Sequence, residues 1–406
     1  MKREVLAASA LAALGALAGQ AQAQSSVTIY GIIDSAVVYN TKVATGTARN
    51  TGSLGGVNSG GLQASRIGFR GKEDLGGGLF ADFGLENGFS VDNGSALQGG
   101  ALFGRRSVVG LSGTRFGVLH IGRRKDFTDE IAGAYSSITP YSGFITAVHA
   151  NNLDRIGGNR ANNMIYYSTP TIGGFRANVT YGFGEAADSV STGQSLGFGA
   201  NYDQGRWAIG FGYWQSKLGS ATVASSDQGA ASGAGCSTTL ASNAGKAGST
   251  CIKTWILGSR YKFDAVTLRG TYSEVKQPLV NTAAGAAPAF NTVFTATAGS
   301  SAFTAGGVNN KKAQILDVGA DFKVAPALLV TTSVIHSRYD FVGASSRGKL
   351  TELIAGVQYY LSKRTTLYST IGTLTAVDMY NPGTGAGAPG ADNRSSFLAA
   401  GVRHTF

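Results

Sequence analysis

Alternation of apolar and polar residues, renewed many times along the chain, is the feature that most restricts its fold. Phe175, Ala177, Val179, Tyr181 and Phe183 share one parity, and Arg176, Asn178 and Thr180 share the other. Val27, Ile29, Ile33 and Val37 stand opposite Thr28, Tyr30 and Asp34. Trp207, Ile209, Phe211 and Tyr213 alternate with Arg206 and glycines, and Leu316, Val318, Ala320 and Phe322 with Asp317, Asp321 and Lys323. Period 2 is the period of a strand with one apolar face. The breaks divide the chain into sixteen strand-like runs: 26–40, 62–72, 76–90, 102–112, 115–124, 160–169, 174–184, 194–203, 205–216, 252–263, 265–276, 312–324, 326–340, 349–361, 363–377 and 394–406. Each reaches the ~9–11 residues with which a tilted strand crosses a bilayer.

A soluble sandwich also alternates, so the breaks carry the distinction. Short turns such as Lys72–Gly77, Ser112–Phe116, Asp203–Gly205 and Ser362–Arg364 alternate with long segments near 41–61, 91–101, 125–159, 185–193, 217–251, 277–311, 341–348 and 378–393. Short turns at one end and long loops at the other mark an outer-membrane barrel. In hydrocarbon every backbone N–H and C=O must be paired within the protein, which only helices and closed barrels achieve. After residue 23 no run approaches the ~20 apolar residues of a spanning helix. The sequence therefore predicts an all-β fold, a 16-stranded antiparallel transmembrane barrel. A barrel of this strand number is too wide for side chains to fill and encloses water.

Composition agrees. The 60 glycines disfavour a helical globular protein, and the 7 prolines fall in predicted turns, loops or strand ends. The net charge of +11 would suggest acidic partners, nucleic acid among them, for a soluble chain. Here the basic residues are dispersed among strands, with no basic helix and no aromatic nucleic-acid motif, so no nucleic-acid partner is expected.

Lys2 and Arg3, the apolar run Val5–Ala18 and the A-x-A signature Ala21–Ala23 read as a signal peptide over residues 1–23, cleaved between Ala23 and Gln24. Export sets an oxidising compartment, in which Cys236 and Cys251 are candidates for a local disulfide. A metal site or free thiols are the alternatives, although no histidine or acid cluster accompanies the pair. The stretch Gly122–Arg160 lacks sustained alternation, opens with the basic Arg123–Lys125 and turns acidic at Asp126, Asp129 and Glu130. So long an insert in a compact domain is usually functional. It is expected to fold into the lumen and narrow it.

Four segments resemble the general porins of Gram-negative bacteria, in particular the beta-proteobacterial type. They are Gln24–Asp34 (QSSVTIYGIID), Ser65–Leu79 (SRIGFRGKEDLGGGL), Phe103–Ser112 (FGRRSVVGLS) followed by Gly117–Arg123, and the C-terminal Phe406. The resemblance runs end to end and is weakest in the long loops. It implies a porin domain over 24–406, a homotrimer of barrels in the cell outer membrane and a third external loop, 125–159, forming the constriction. It implies passage of small anionic or polar solutes, and contact with outer-membrane lipid and lipopolysaccharide, periplasmic chaperones and the outer-membrane assembly machinery. Residue by residue it places Arg66, Arg105 and Arg160 on a basic wall, Glu86 as a wall carboxylate, and Asp126, Asp129 and Glu130 as loop acids. Arg106, Arg123 and Arg124 compete with the named arginines, and Phe406 resembles a barrel-assembly signal.

Guanidiniums fixed around a narrow wet neck would focus positive potential and concentrate anions. The competing reading is that the arginines pair with carboxylates and serve only local order. Nothing nominates an enzyme or a cofactor. Gly385–Gly390 spells G-x-G-x-x-G without a βαβ context, and His120, His149, His336 and His404 are too scattered for metal spacing. The expected function is a general diffusion porin with anion preference. A channel preferring small carboxylates or oligosaccharides is the alternative, and a soluble secreted β protein is a third reading.

Overall fold

The computed structural model describes residues 26–45, 50–138, 149, 160–185, 187–191, 193–218, 250–276, 310–341, 347–379, 381, 383 and 392–406. The signal segment with Ala23 and Gln24 lies outside them, as do Cys236 and the side chains of Cys251 and Asp129.

Seventeen strand segments form one antiparallel sheet. They are β1 (Ser26–Thr45), β2 (Asn50–Ser59), β3 (Arg66–Gly76), β4 (Leu79–Gly88), β5 (Arg106–Gly113), β6 (Gly117–Lys125), β7 (Arg160–Ser168), β8 (Phe175–Gly182) and β9 (Ser195–Gln204), followed by β10 (Trp207–Leu218), β11 (Thr250–Lys262), β12 (Val266–Lys276), β13 (Asn310–Ala325), β14 (Leu328–Phe341), β15 (Arg347–Tyr360), β16 (Thr365–Val377) and β17 (Arg394–Thr405). From β3 onward each pairs with the next, and β17 returns to β1, from Ile32 opposite Thr405 to Thr41 opposite Ser396. On the other flank of β1, β2 pairs with residues 35–45 and β3 with residues 26–32. β2 and β3 therefore lie end to end as one broken stave, and the closed barrel has sixteen staves.

The seam shows how closure is completed. The N–H of Gly31 donates to the carbonyl of Phe406 at 3.0 Å, and the N–H of Phe406 donates back to Gly31 at 3.1 Å. A Cβ on Gly31 would meet the Phe406 ring, so the terminal aromatic packs where only glycine leaves room.

The predicted runs coincide with the strands to within a few residues, with one correction. Residues 41–61 were expected to be a long loop. Instead β1 continues to Thr45 and turns back through β2, because backbone pairing alone carries this Gly- and Ser-rich stretch. The stave breaks at Gly60–Ser65, where Gly60 has φ +82°, a left-handed conformation suited to glycine. The carboxylate of Asp34 holds the break. Its Oδ2 accepts the N–H groups of Leu62 at 2.9 Å and Gln63 at 2.8 Å, and its Oδ1 accepts the Tyr368 hydroxyl at 2.6 Å. Leu62 is buried against Ala36, Val38, Tyr368, Phe397 and Ala399 on the inner wall of β1, β16 and β17.

Outward positions are apolar and exposed, among them Val27, Val37, Val179, Leu316, Val334 and Ile371. Aromatic pairs frame this band. Tyr202 with Trp207 and Tyr261 with Phe263 lie at the short-turn end, and Phe198 with Tyr213 and Trp255 with Tyr272 toward the long-loop end. Such girdles mark the two membrane interfaces of a barrel.

Replacing Asp34 by Ala leaves two N–H groups and a hydroxyl without their acceptor, a cost of about 1–3 kcal/mol for each group left buried and unsatisfied. The variant is expected to unfold at a lower temperature than the parent, read as the loss of the folded, heat-modifiable band on unheated gels. An unchanged transition would show that the break is held by other contacts.

Candidate constriction site

Lys125 ends β6, and the chain then leaves the wall and turns into the barrel. The insert was read as lacking regular structure. Its described part instead forms a two-turn helix, α1 (Thr128–Tyr135). Asp126 prepares the entry by accepting the Thr128 N–H at 2.7 Å and the Thr128 hydroxyl. Phe127, Ile131 and Tyr135 recur at a spacing of four and are buried together against the inner wall.

That wall is smooth because glycines stand at its inward positions. A Cβ on Gly210 would lie 2.8 Å from the Tyr135 ring, and one on Gly258 2.8 Å from the Tyr135 Cβ. Arg269 donates to the carbonyl of Ala134 at 3.0 Å, which satisfies an orphan group at the helix C-terminus. Beyond the helix Asp317 acts as a latch. Its Oδ2 accepts the Ser136 hydroxyl at 2.5 Å, the Ser137 N–H at 3.1 Å and the Thr271 hydroxyl at 3.4 Å, while Oδ1 accepts the Ser137 hydroxyl. The helix is thus pinned to one side of the lumen and faces the opposite wall.

On that wall Glu86 is the node. Its Oε1 accepts Arg105 Nε at 2.6 Å, and its Oε2 accepts the Tyr30 hydroxyl at 3.1 Å with Arg66 Nε at 3.7 Å. Arg160 donates through Nε to the carbonyl of Arg105 at 2.9 Å. On the helix side Glu130 accepts Arg124 at 3.1 Å and Tyr166 at 3.0 Å through Oε1, and Arg176 at 2.8 Å through Oε2. The Arg124 guanidinium lies 3.5 Å from the centroid of the Tyr166 ring, a cation–π contact that fixes its plane.

These groups enclose a cavity of about 240 Å³ lined by Arg66, Glu86, Arg105, Arg106, Arg124, Lys125, Asp126, Glu130 and Arg160. Every lining residue is ionisable, and six cations face three carboxylates. The cavity brings together Arg66, Arg105, Arg160, Glu86, Asp126 and Glu130, residues that the family resemblance singled out. Asp129 belongs to α1, but its side chain lies outside the described residues. Arg105 and Arg106 both line the cavity, so the choice between them dissolves. Arg105 bonds Glu86, whereas Arg106 stands directly across the sheet from it. Arg123 turns away and bonds the Gly104 carbonyl at 2.7 Å and Asn162 at 2.5 Å.

Sequence reasoning named Arg176 only as a polar strand position and did not single out Tyr166 or the Asp317 latch. The inward parity of Arg176 and Asp317 was visible, but their partners come from an insert whose path period 2 does not report.

A family profile described as Gram-negative porin matches residues 8–378. The chain belongs to the Gram-negative porin family. It is a multi-pass outer-membrane β-barrel. It is 41% identical over 227 residues to outer membrane porin protein 32 of Delftia acidovorans, covering 53% of this chain and 60% of that protein. It is 39% identical over 207 residues to an outer membrane porin protein of Bordetella pertussis, covering 47% of this chain and 51% of that protein. The aligned segments thus span between half and two thirds of these relatives. Among solved structures, an anion-selective porin from Comamonas acidovorans superposes with a TM-score of 0.67 at 27% identity, over 94% of this chain and 100% of that one.

In this porin, Asp317→Ala removes the acceptor of three buried hydroxyls and one N–H. Local opening of 126–138 becomes easier by about 1–3 kcal/mol, or roughly five- to a hundred-and-sixty-fold in amide exchange. Hydrogen exchange confined to this segment checks it. Wild-type protection in the variant would mean that the apolar face of α1 suffices.

Proposed function

We propose that the chain is a general diffusion porin, an aqueous channel for passive movement of small hydrophilic solutes and ions with preference for anions. The observation that carries the reading is the excess of six cations over three carboxylates in the small cavity between α1 and the β3–β7 wall. A narrow wet neck with low-dielectric walls concentrates counter-ions, and arginine stays charged throughout the accessible pH range. The name of the Comamonas protein, an anion-selective porin, agrees.

Residues 125–159 are the constriction loop in this reading, with Arg66, Arg105 and Arg160 as basic wall and Glu86, Asp126, Asp129 and Glu130 as acidic groups. The mature chain starts at Gln24, its copies assemble as a homotrimer, and Phe406 at the seam serves as the assembly signal.

The competing idea, that the arginines serve only local order, is weakened by the count. Glu86 and Glu130 engage Arg66, Arg105, Arg124 and Arg176, yet each carboxylate carries one charge. Hydrogen bonding orients these cations without neutralising them as a set.

The test is the reversal potential of single channels in a potassium chloride gradient. Wild-type channels are expected to favour chloride. Arg66→Glu changes the neck by two charges and is expected to abolish or reverse that preference. Glu86→Gln removes the carboxylate between Arg66 and Arg105 and is expected to strengthen it. Equal permeability ratios in all three folded proteins would overturn the assignment of this cavity as the selective neck. Well-folded protein without conductance would overturn the diffusion reading.

A further inference from the structure

Beside the neck stands a histidine whose two ring nitrogens meet opposite kinds of partner. His120 lies on β6 at an inward position and is 6% exposed. Its Nε2 is 2.7 Å from Oδ1 of Asp82 on β4, and its Nδ1 is 2.8 Å from Nη1 of Arg124. A guanidinium carries donors only, and an ionised carboxylate only accepts. Nδ1 therefore holds a lone pair and accepts from Arg124, while Nε2 holds the proton and donates to Asp82. This pairing fits one form of the ring, the neutral Nε2–H tautomer.

The strands around the ring hold it in this place. Gly110 stands opposite it on β5, where a Cβ would lie 2.7 Å from the His120 Cδ2. Tyr166 stands opposite it on β7, with ring centroids 6.4 Å apart and planes 24° apart. Arg124 in turn commits each guanidinium nitrogen to a different partner. Nε donates to the Lys125 carbonyl at 3.0 Å, Nη1 to His120, and Nη2 to Glu130 on α1 at 3.1 Å. A relay Asp82–His120–Arg124–Glu130–Arg176 thus runs from β4 across the wall to the insert and on to β8. The charged and titratable groups that face the imidazole are Asp82 from β4, Arg106 from β5, Arg124 from β6, Tyr166 from β7 and, through Arg124, Glu130 from α1.

Of these side-chain types only an imidazole ordinarily changes charge near neutral pH, at about pH 6.5. A proton taken from the lumen onto Nδ1 turns the acceptor of Arg124 into a donor. Two N–H groups and two positive charges then meet where one hydrogen bond stood. Asp82 still accepts from Nε2 and offsets the new charge, so the ring keeps its place and the guanidinium gives way. Arg124 retains Glu130 and the Lys125 carbonyl, which lie on the side of the insert. Arg124 lines the cavity and His120 does not, so the imidazole acts on the passage through the arginine.

We propose, on the reading of this cavity as the selective neck, that His120 positions the Arg124 guanidinium and that its protonation releases Arg124 toward the passage, so that anion preference rises at acid pH through this one side chain. His120 is a positioning residue for the neck rather than part of its lining.

The experiment is the reversal potential of single channels of the mature protein in a potassium chloride gradient, followed in steps from about pH 8 to about pH 4.5, on either side of the ordinary imidazole value. The wild-type ratio of chloride to potassium permeability is expected to rise about twofold in one titration step as the pH falls. His120→Gln offers an acceptor and a donor but takes up no proton, and is expected to lose that step and keep only the gradual change due to carboxylates. Asp82→Asn keeps an acceptor for Nε2 but removes the charge that favours the imidazolium, and is expected to move the step to lower pH. Arg124→Gln removes the cation that responds, and is expected to abolish the step although His120 is present. Heat-modifiable mobility certifies that the variants are folded, and Asp82→Asn with Arg124→Gln decides if His120→Gln does not fold. An undiminished step in folded His120→Gln, or a step unmoved in Asp82→Asn and undiminished in Arg124→Gln, would overturn the role of His120 while leaving the selective neck in place. Wild-type channels without anion preference at any pH would overturn the neck itself, and the role of His120 with it.

Discussion

Closure of the backbone hydrogen-bond ring is the constraint on which the rest depends. A strand in hydrocarbon has no water to accept its carbonyls or donate to them, so an open edge is excluded and the last stave must meet the first. Here the meeting is at Gly31 and Phe406, whose reciprocal bonds finish the ladder between β17 and β1. The ring tolerates one interruption. Where β2 gives way to β3, the chain leaves the wall, and the side chain of Asp34 supplies the acceptor for two of its N–H groups. The break therefore leaves these groups satisfied, and it places Leu62 inside the barrel directly before Ser65 and Arg66.

A ring of sixteen staves encloses more space than its own side chains can fill, which transfers the packing problem to the insert. The inner wall solves it asymmetrically. Glycines on β9–β11 allow α1 to lie close, and Ile256, Ile315, Ile335 and Ile354 give its neighbourhood an apolar floor. With one side filled, the remaining passage is pressed against β3–β7, where the inward residues are charged. The neck is thus a product of packing on the far side as much as of charge on the near side. The Asp317 latch, on the opposite wall to Arg66, belongs to the same device.

Most of the barrel was legible because its code is local. Period 2 reports which face of each strand meets lipid, and turn residues report where each strand stops. The failures have physical reasons. β2, with sequence NTGSLGGVNS, has few apolar residues and reads as a loop, yet pairing with β1 makes it a strand. α1 spans only eight residues, too few for a helical period to stand out beside strands, although Phe127, Ile131 and Tyr135 were already spaced for one face. Arg66, Arg105, Arg160 and Glu86 were found through family resemblance, not periodicity. What neither could supply was the pairing. That Glu130 holds both Arg124 and Arg176 while Asp126 turns to its own backbone depends on how the insert crosses the lumen.

The positive charge of the chain has two separate destinations, and alternation keeps them apart. On β3–β7 the excess faces inward, where carboxylates hold the guanidiniums in orientation without cancelling them. On β11–β15 it faces outward at one rim, where Glu274 and Asp340 are too few to balance Lys253, Lys276, Lys312, Arg338, Arg347 and Lys349. A register slip of one residue would exchange the two faces, carrying cations into lipid and apolar side chains into water. Strand register in this barrel is therefore an electrostatic specification as well as a hydrophobic one. One charged set can therefore face the lumen while another faces outward on the same sheet.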